Sequence, residues 1–297
     1  MKNYLFYISA GFLFTGCFHN TENLTFDIKN KKEQIYSSKK AEKININELI
    51  NEIKEYKIVF VGDHHNTIPT HNFLNEVLKE LDNQKYNIHM ANEWFTPKHN
   101  QLLLDYTTNK IDSLTLKEKR NWDKFTKYKW NIVEKLYETV KDSKGKLYGI
   151  NLTKEQRKKI SLKKIDTMTK EELFFYNSLD LDVYPHKNLV KPYFKHCDKM
   201  PTKSDEACEN RMYRVQVAWD TYMAEQVNKL AKNILKKPKD ILIVFAGAMH
   251  IEKNLGIPLR FSRLNNTPYV TLSNYKIIKD EDILIPINKA DILYIYE

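Results

Sequence analysis

Glycine is scarce, with 7 residues in 297. That excludes collagen-like and Gly-rich low-complexity chains. No GxGxxG and no P-loop pattern occurs, so the sequence offers no glycine cradle for phosphates. HExxH and GxSxG are also missing, which removes support for a helical zinc pair or a serine-hydrolase elbow. Three cysteines without a CxxC or a zinc-finger spacing exclude a disulfide scaffold and a structural zinc site. The apolar run Tyr4–Phe14 is eleven residues long, too short to span a bilayer as a helix.

What is present is a 42% hydrophobic chain with 18 Tyr and 14 Phe, enough for a substantial core. The net charge of +10 comes mainly from scattered lysines. A nucleic-acid domain would show a basic stripe in an aromatic or motif context, so the lysines are read as a solvated surface and nucleic acid is not an expected partner.

The first residues carry export signals. Lys2 supplies a positive start, the apolar run follows, and Phe14-Thr15-Gly16-Cys17 has the form of a lipobox. Leu is more usual where Phe14 stands. Residues 1–16 are read as a lipoprotein signal peptide and Cys17 as the lipid (palmitate) attachment point. The polar, Lys-rich stretch that follows suggests a flexible tether over 17–43. Cys197 and Cys208 remain, eleven apart in a compartment that permits disulfides, and are expected to pair.

From residue 44 to 297 the chain reads as a single α/β domain. Tyr56–Val61, Tyr86–Ala91, Leu147–Ile150, Ile241–Ala246, Tyr269–Leu272 and 291–296 are short apolar, β-rich runs. Helical spacing separates them: Phe73, Leu74, Val77, Leu78 and Leu81 form one stripe, and Met212, Val215, Trp219, Tyr222, Met223, Val227, Leu230 and Ile234 another. Ser204 reads as the N-cap of the second helix. The alternation predicts a mostly parallel sheet flanked by helices. A helical insertion or cap, about 110–236, stands largely between strands three and four. Residues 182–203 contain three prolines and no period, and predict a long loop over the sheet's rim.

Ligands of open α/β sheets bind beyond the carboxyl ends of the strands. There the sequence places Gly62-Asp63-His64-His65 with His71 beyond, Asn92-Glu93-Trp94, Asn151, and Gly247-Ala248-Met249-His250. Histidines with carboxylates can bind a metal or perform acid–base work.

The paired Gly-x-x-His motifs, Gly62–His65 and Gly247–His250, resemble the repeat of a superfamily of ChaN-like haem-binding lipoproteins, erythromycin-esterase-like proteins and Tiki/TraB-type proteins. VGDHHNTIPTHNFLNEVLKEL is similar to the opening motif of the ChaN-like branch, ANEWFTPKHNQLLLDY to its second-strand Glu and helix. HCDKMP, VQVAWDTYMA and AGAMHIEKNLGIPLR look like its later blocks. The resemblance covers residues 56–260. Asp63 stands where that family usually has Glu.

The resemblance implies a haem-binding lipoprotein of haem and iron acquisition at the outer membrane, on its periplasmic or surface face. Phe18 after the lipid Cys, in place of the Asp that signals inner-membrane retention, agrees with that location. An outer-membrane haem receptor and a haem-linked homodimer are the partners expected. Ferric haem accepts a phenolate ligand. Tyr193, in the segment that also holds Tyr184, His186, Lys191, Lys195, His196 and Met200, is the first choice for the iron. His196 and His186 follow, Lys195 is placed for the propionates, and His65 and His250 line the pocket. No catalytic residue is assigned on this reading. The alternative is a metal-dependent hydrolase with His65, His71, Glu93 and His250 around the ion; a third reading is a cell-surface interaction module whose pocket is a relic.

Overall fold

The computed structural model describes residues 23–25, 33–199, 207–252, 255–277, 284–286 and 289–297. The expected lipid site Cys17, Met200, Ser204 and the side chains of Lys195 and His196 lie outside the described residues. Ten strands are β1 (Asn23–Thr25), β2 (Gln34–Ser37), β3 (Glu42–Ile44), β4 (Ile58–Asp63), β5 (Asn87–Asn92), β6 (Lys146–Gly149), β7 (Asp240–Gly247), β8 (Tyr269–Lys276), β9 (Leu284–Pro286) and β10 (Ile292–Tyr296). Eight of them form one sheet in the order β3-β2-β10-β8-β4-β7-β5-β6. The six from β10 to β6 in that order run parallel. They are the six strands expected from the apolar runs.

The central strands β4 and β7 are buried along their whole length, as a parallel sheet covered on both faces requires. Side chains alternate between the faces. Val59, Val61, Ile241, Ile243 and Phe245 join one core cluster, with helices Ile46–Ile53, Ile68–Asn83 and Trp130–Asp142. Ile58, Phe60, Leu242, Val244 and Ala246 join the other, with helices Cys208–Ile234 and Gly256–Ser262. The helical cap stands between β6 and β7, the third and fourth parallel strands, and ends in the long helix Cys208–Ile234.

Two expectations need correction. Residues 34–43, read as part of a tether over 17–43, belong to the hairpin β2–β3, whose strand β2 pairs antiparallel with β10; β1 pairs with β9. The stretch carries little apolar periodicity of its own. Pairing with β10 and burial of Tyr36 and Ser37 hold it, while the exposed lysines protect the sheet edge. Residues 182–203 are not a loop throughout: Tyr184–Val190 is α-helical and Lys191–Lys199 is 3-10 helical. Pro185 and Pro192 sit in the first turns of these helices, where a missing N–H costs nothing. The disulfide Cys197–Cys208, Cα–Cα 5.5 Å, ties this segment to the long helix.

Candidate functional site

Parallel register decides which side chains meet. Asp63 at the end of β4 pairs with Gly247 at the end of β7, and Asn92 at the end of β5 pairs with Phe245. The residues just beyond these ends, His65, Glu93 and His250, are thereby collected at one rim. Glu93 is held through its backbone. Its N–H donates to the Phe245 carbonyl, Asn151 Nδ2 donates to its own carbonyl at 2.8 Å, and Arg120 donates twice to the next carbonyl, that of Trp94. Burial lowers the Arg120 pKa to about 10.

The two Gly-x-x-His motifs build two similar halves. In one, His65 Nδ1 lies 2.6 Å from Asp63 Oδ2 and its Nε2 3.5 Å from Glu93 Oε1. In the other, His250 Nδ1 is hydrogen-bonded to Asp220 and its Nε2 lies 3.7 Å from Glu93 Oε2. Glu93 therefore stands between two aspartate-oriented imidazoles. Gly247 permits the approach: a Cβ there would sit 3.3 Å from His65 Nε2 and 3.5 Å from His250 Cδ2.

The chain of charged groups continues outward. His71 Nε2 lies 3.5 Å from Asp63 Oδ1, and its Nδ1 2.9 Å from the Thr67 carbonyl. His186 is fully buried, with Nε2 3.0 Å from Asp220 Oδ2 in a close contact that lacks good hydrogen-bond geometry. Its Nδ1 is 3.4 Å from Arg260 Nη2, and Arg260 Nη1 is 3.9 Å from Asp220. Aromatic rings flank the pocket: Tyr128 at 4.2 Å and Trp94 at 5.7 Å from the His65 ring, Trp219 at 6.0 Å from that of His250.

Burial by itself would lower the pKa of His65; the hydrogen bond to Asp63 and the charge on Glu93 outweigh it, and the net shift is upward. His250 moves the same way: burial opposes, while Asp220, by charge and hydrogen bond, and Glu93 prevail. Burial would raise the Asp220 carboxyl, but His250, the contact with His186 and Arg260 hold it far below the usual carboxylate range. Burial first, then Glu93 and Asp63, push Tyr128 up to about 12.

Aspartates that take both Nδ1 atoms fix the ring orientation and leave both Nε2 atoms facing Glu93. At 3.5 and 3.7 Å those contacts are too long for strong hydrogen bonds. The arrangement can hold and pass protons at Glu93 Oε1 and Oε2. Among the described residues, no group of three or more His, Cys, Asp or Glu side chains is arranged to hold a metal ion.

The shared carboxylate makes a prediction. Glu93→Gln removes a charge that raises both His65 and His250, so both imidazole titrations should move to lower pH in histidine Cε1–H NMR spectra. A midpoint that stays put for either ring would show that Glu93 is not coupled to it. His65 and His250, with raised pKa values, stabilise the fold most below their unfolded value of roughly 6.5, and that contribution is lost as pH rises through their folded values. In Glu93→Gln the loss should begin at lower pH.

Of the residues expected at the site, His65, His71, Glu93 and His250 are brought together. His186 joins them through Asp220 rather than facing outward from the cap. Tyr184 and Tyr193 are on the surface, 71% and 62% exposed, away from this chain of contacts. Val190 and Phe194, on either side of Tyr193, pack against Tyr213 and Val217 of the long helix. Sequence reasoning missed Asp220 and Arg260. Asp220 lies in the inward stripe Tyr213, Val217, Asp220, Ala224, Val227 and Ala231, where an acid among apolar residues is the signal that could have found it.

The chain is similar to several proteins of known structure. The ChaN protein of Campylobacter jejuni, solved with cofacially bound haem, is 20% identical with a TM-score of 0.68, over 90% of this chain and 98% of that one. A Bacillus cereus protein is 13% identical, TM-score 0.48, over 85% and 92% of the two chains. An erythromycin esterase in its open conformation is 11% identical, TM-score 0.45, over 82% and 77%. No curated protein sequence matches. The model of the family described as haem-binding uptake, Tiki superfamily, ChaN, matches residues 49–261, and the chain belongs to that family.

Proposed function

We propose that this protein binds haem for iron acquisition and is held at the outer membrane by a lipid on Cys17. The family match over residues 49–261 is the observation that carries the haem reading. The chain's own residues fit such a group. Haem iron needs a ligand, and Tyr193 offers an exposed phenol on a segment anchored by Val190, Phe194 and the disulfide. Bound haem would supply a ferric centre that accepts a phenolate. Tyr193 ligates, and the lysines of the same segment meet the propionates. His186 is fully buried against Asp220 and Arg260 and is not in position to ligate.

An exposed ligand covers one haem face. A second copy bringing its own haem face to face would cover the other, so haem binding and dimerisation are linked. Sedimentation velocity should show a monomer without haemin and a dimer with it. Tyr193→Phe should abolish both the shift and the ferric-phenolate absorbance. A monomer at saturating haemin would remove the dimer, and an unchanged mutant spectrum would remove Tyr193 as the ligand. For the anchor, Cys17→Ser should block palmitate labelling; continued labelling would refute it.

One observation favours a second reading. Two aspartate-oriented imidazoles facing one glutamate form a constellation suited to acid–base hydrolysis at His65, Glu93 and His250. Glu93→Gln separates the readings: haem binding through Tyr193 survives it, whereas hydrolysis at this site does not.

A further inference from the structure

The helical cap projects a hairpin of two short helices, Lys154–Ser161 and Lys170–Asn177. Each is started by a capping box, Thr153 with Gln156 and Thr169 with Glu172. Lys159 bridges them at 2.7 Å from Glu172. Ile160, Met168 and Phe175 turn inward onto Ala218, Trp219 and Tyr222.

Three large apolar side chains of the hairpin face solvent. Leu162 and Ile165, in the turn between the helices, are 48% and 43% exposed, and Phe174 is 78% exposed. Phe174 is the most exposed large hydrophobic residue among those described. Local folding does not explain this, because each helix already has its own inward residues. The same two helices and the turn between them carry Lys154, Lys158, Lys164 and Lys170, all exposed and with no ion pair among the described residues. Residues 154–174 hold seven basic and four acidic side chains. Two of the acids, Glu155 and Glu172, contact Lys159, which leaves Asp166 and Glu171 against the exposed lysines.

We propose that this hairpin tip docks onto the surface of an anionic lipid bilayer, with Leu162, Ile165 and Phe174 entering the interface and the lysines meeting the headgroups. Exposed apolar side chains together with cations on one hairpin are the composition of an interfacial anchor. Charge complementarity favours lipid over a second copy: a symmetric pairing of two such tips would place like charges together. No helix among the described residues is long and apolar enough to cross a membrane, so the contact is peripheral. The inference depends on neither the haem reading nor the lipid on Cys17. If that lipid is present, the tip is a second point of contact and sets the orientation of the domain.

The test uses the chain from residue 18 onward, which keeps every described element, and vesicles of phosphatidylcholine with or without phosphatidylglycerol. Cosedimentation is expected only with the anionic vesicles and should weaken as salt rises. Phe174→Ser and the pair Lys158→Glu with Lys164→Glu should each weaken it, the former roughly tenfold. Phe174→Trp should add a fluorescence component that shifts to the blue when anionic vesicles are present. These sites are exposed, so each variant should keep the fold, and circular dichroism checks that it does. Failure to bind anionic vesicles at low salt would overturn the proposal, as would binding unaffected by Phe174→Ser. Self-association without lipid that Phe174→Ser abolishes would assign the face to a second copy instead.

Discussion

Asp220→Ala should destabilise the fold by about 3–5 kcal/mol, the usual cost of breaking a buried ionic cluster from one side. Asp220 is fully buried, and its carboxylate meets His250, His186 and Arg260. Removing it strands donors from three elements, and two of them, His186 and Arg260, are buried. Asp220→Asn keeps the shape and loses the charge, so it should cost less. The pH dependence follows from the shifts. Asp220 is held far below the usual carboxylate range, so its contribution is present above its unfolded value of roughly 3.9 and is lost as pH falls toward the folded one. On the other side, the upward-shifted His250 gives up its contribution as pH rises through its folded value. The gap between wild type and Asp220→Asn should therefore be widest between these limits and shrink in acid. Urea midpoints across that range measure it; a gap independent of pH would show that the cluster is not ionic.

Trp122→Ala should cost about 3–5 kcal/mol, the range for emptying a large aromatic site in a core. Trp122 is 1% exposed, with its ring centroid 4.9 Å from Trp130 and 6.1 Å from Phe95. Its Nε1–H donates to the Tyr128 carbonyl at 2.7 Å, which fixes the residue whose ring lies against His65. Trp122→Phe retains most of the buried area and loses that hydrogen bond, so a cost of about 1–2 kcal/mol is expected. The two substitutions share a second effect. Freed from its backbone anchor, Tyr128 should cover His65 less, and the His65 titration should shift by NMR even in Trp122→Phe. Destabilisation with an unchanged His65 titration would confine Trp122 to the core and detach it from the site.

Much of this architecture was legible because a parallel sheet buried on both faces leaves nearly continuous apolar runs. Tyr56–Val61 and Ile241–Ala246 are such runs, and the polar residues after them mark the rim. The chain order of these strands says nothing of their neighbours in the sheet, yet a parallel sheet aligns the carboxyl ends, so Asp63, Glu93 and His250 could be grouped without knowing the order. The hairpin β2–β3 was not legible, because its stability comes from pairing with β10, some 250 residues away in sequence. The prolines of 182–203 suggest a loop from composition alone, whereas position within a helix decides their effect. Asp220 escaped notice because the stripe assigned to its helix was centred on Trp219 and Met223. A stripe shifted by one position, through Val217, Ala224 and Val227, carries Asp220 into the core. His186 shares its segment with Tyr184 and Tyr193, yet two positions along a short helix separate the exposed Tyr184 from the buried His186.

Haem binding is tested most directly by a haemin titration. Haemin is added in steps to the chain from residue 18 onward and followed across the visible spectrum. The expected result is a Soret band that grows to a break at a fixed ratio of haemin to protein, with a ferric-phenolate absorbance that Tyr193→Phe abolishes. A spectrum that stays that of free haemin at every ratio, with no break, would contradict haem binding.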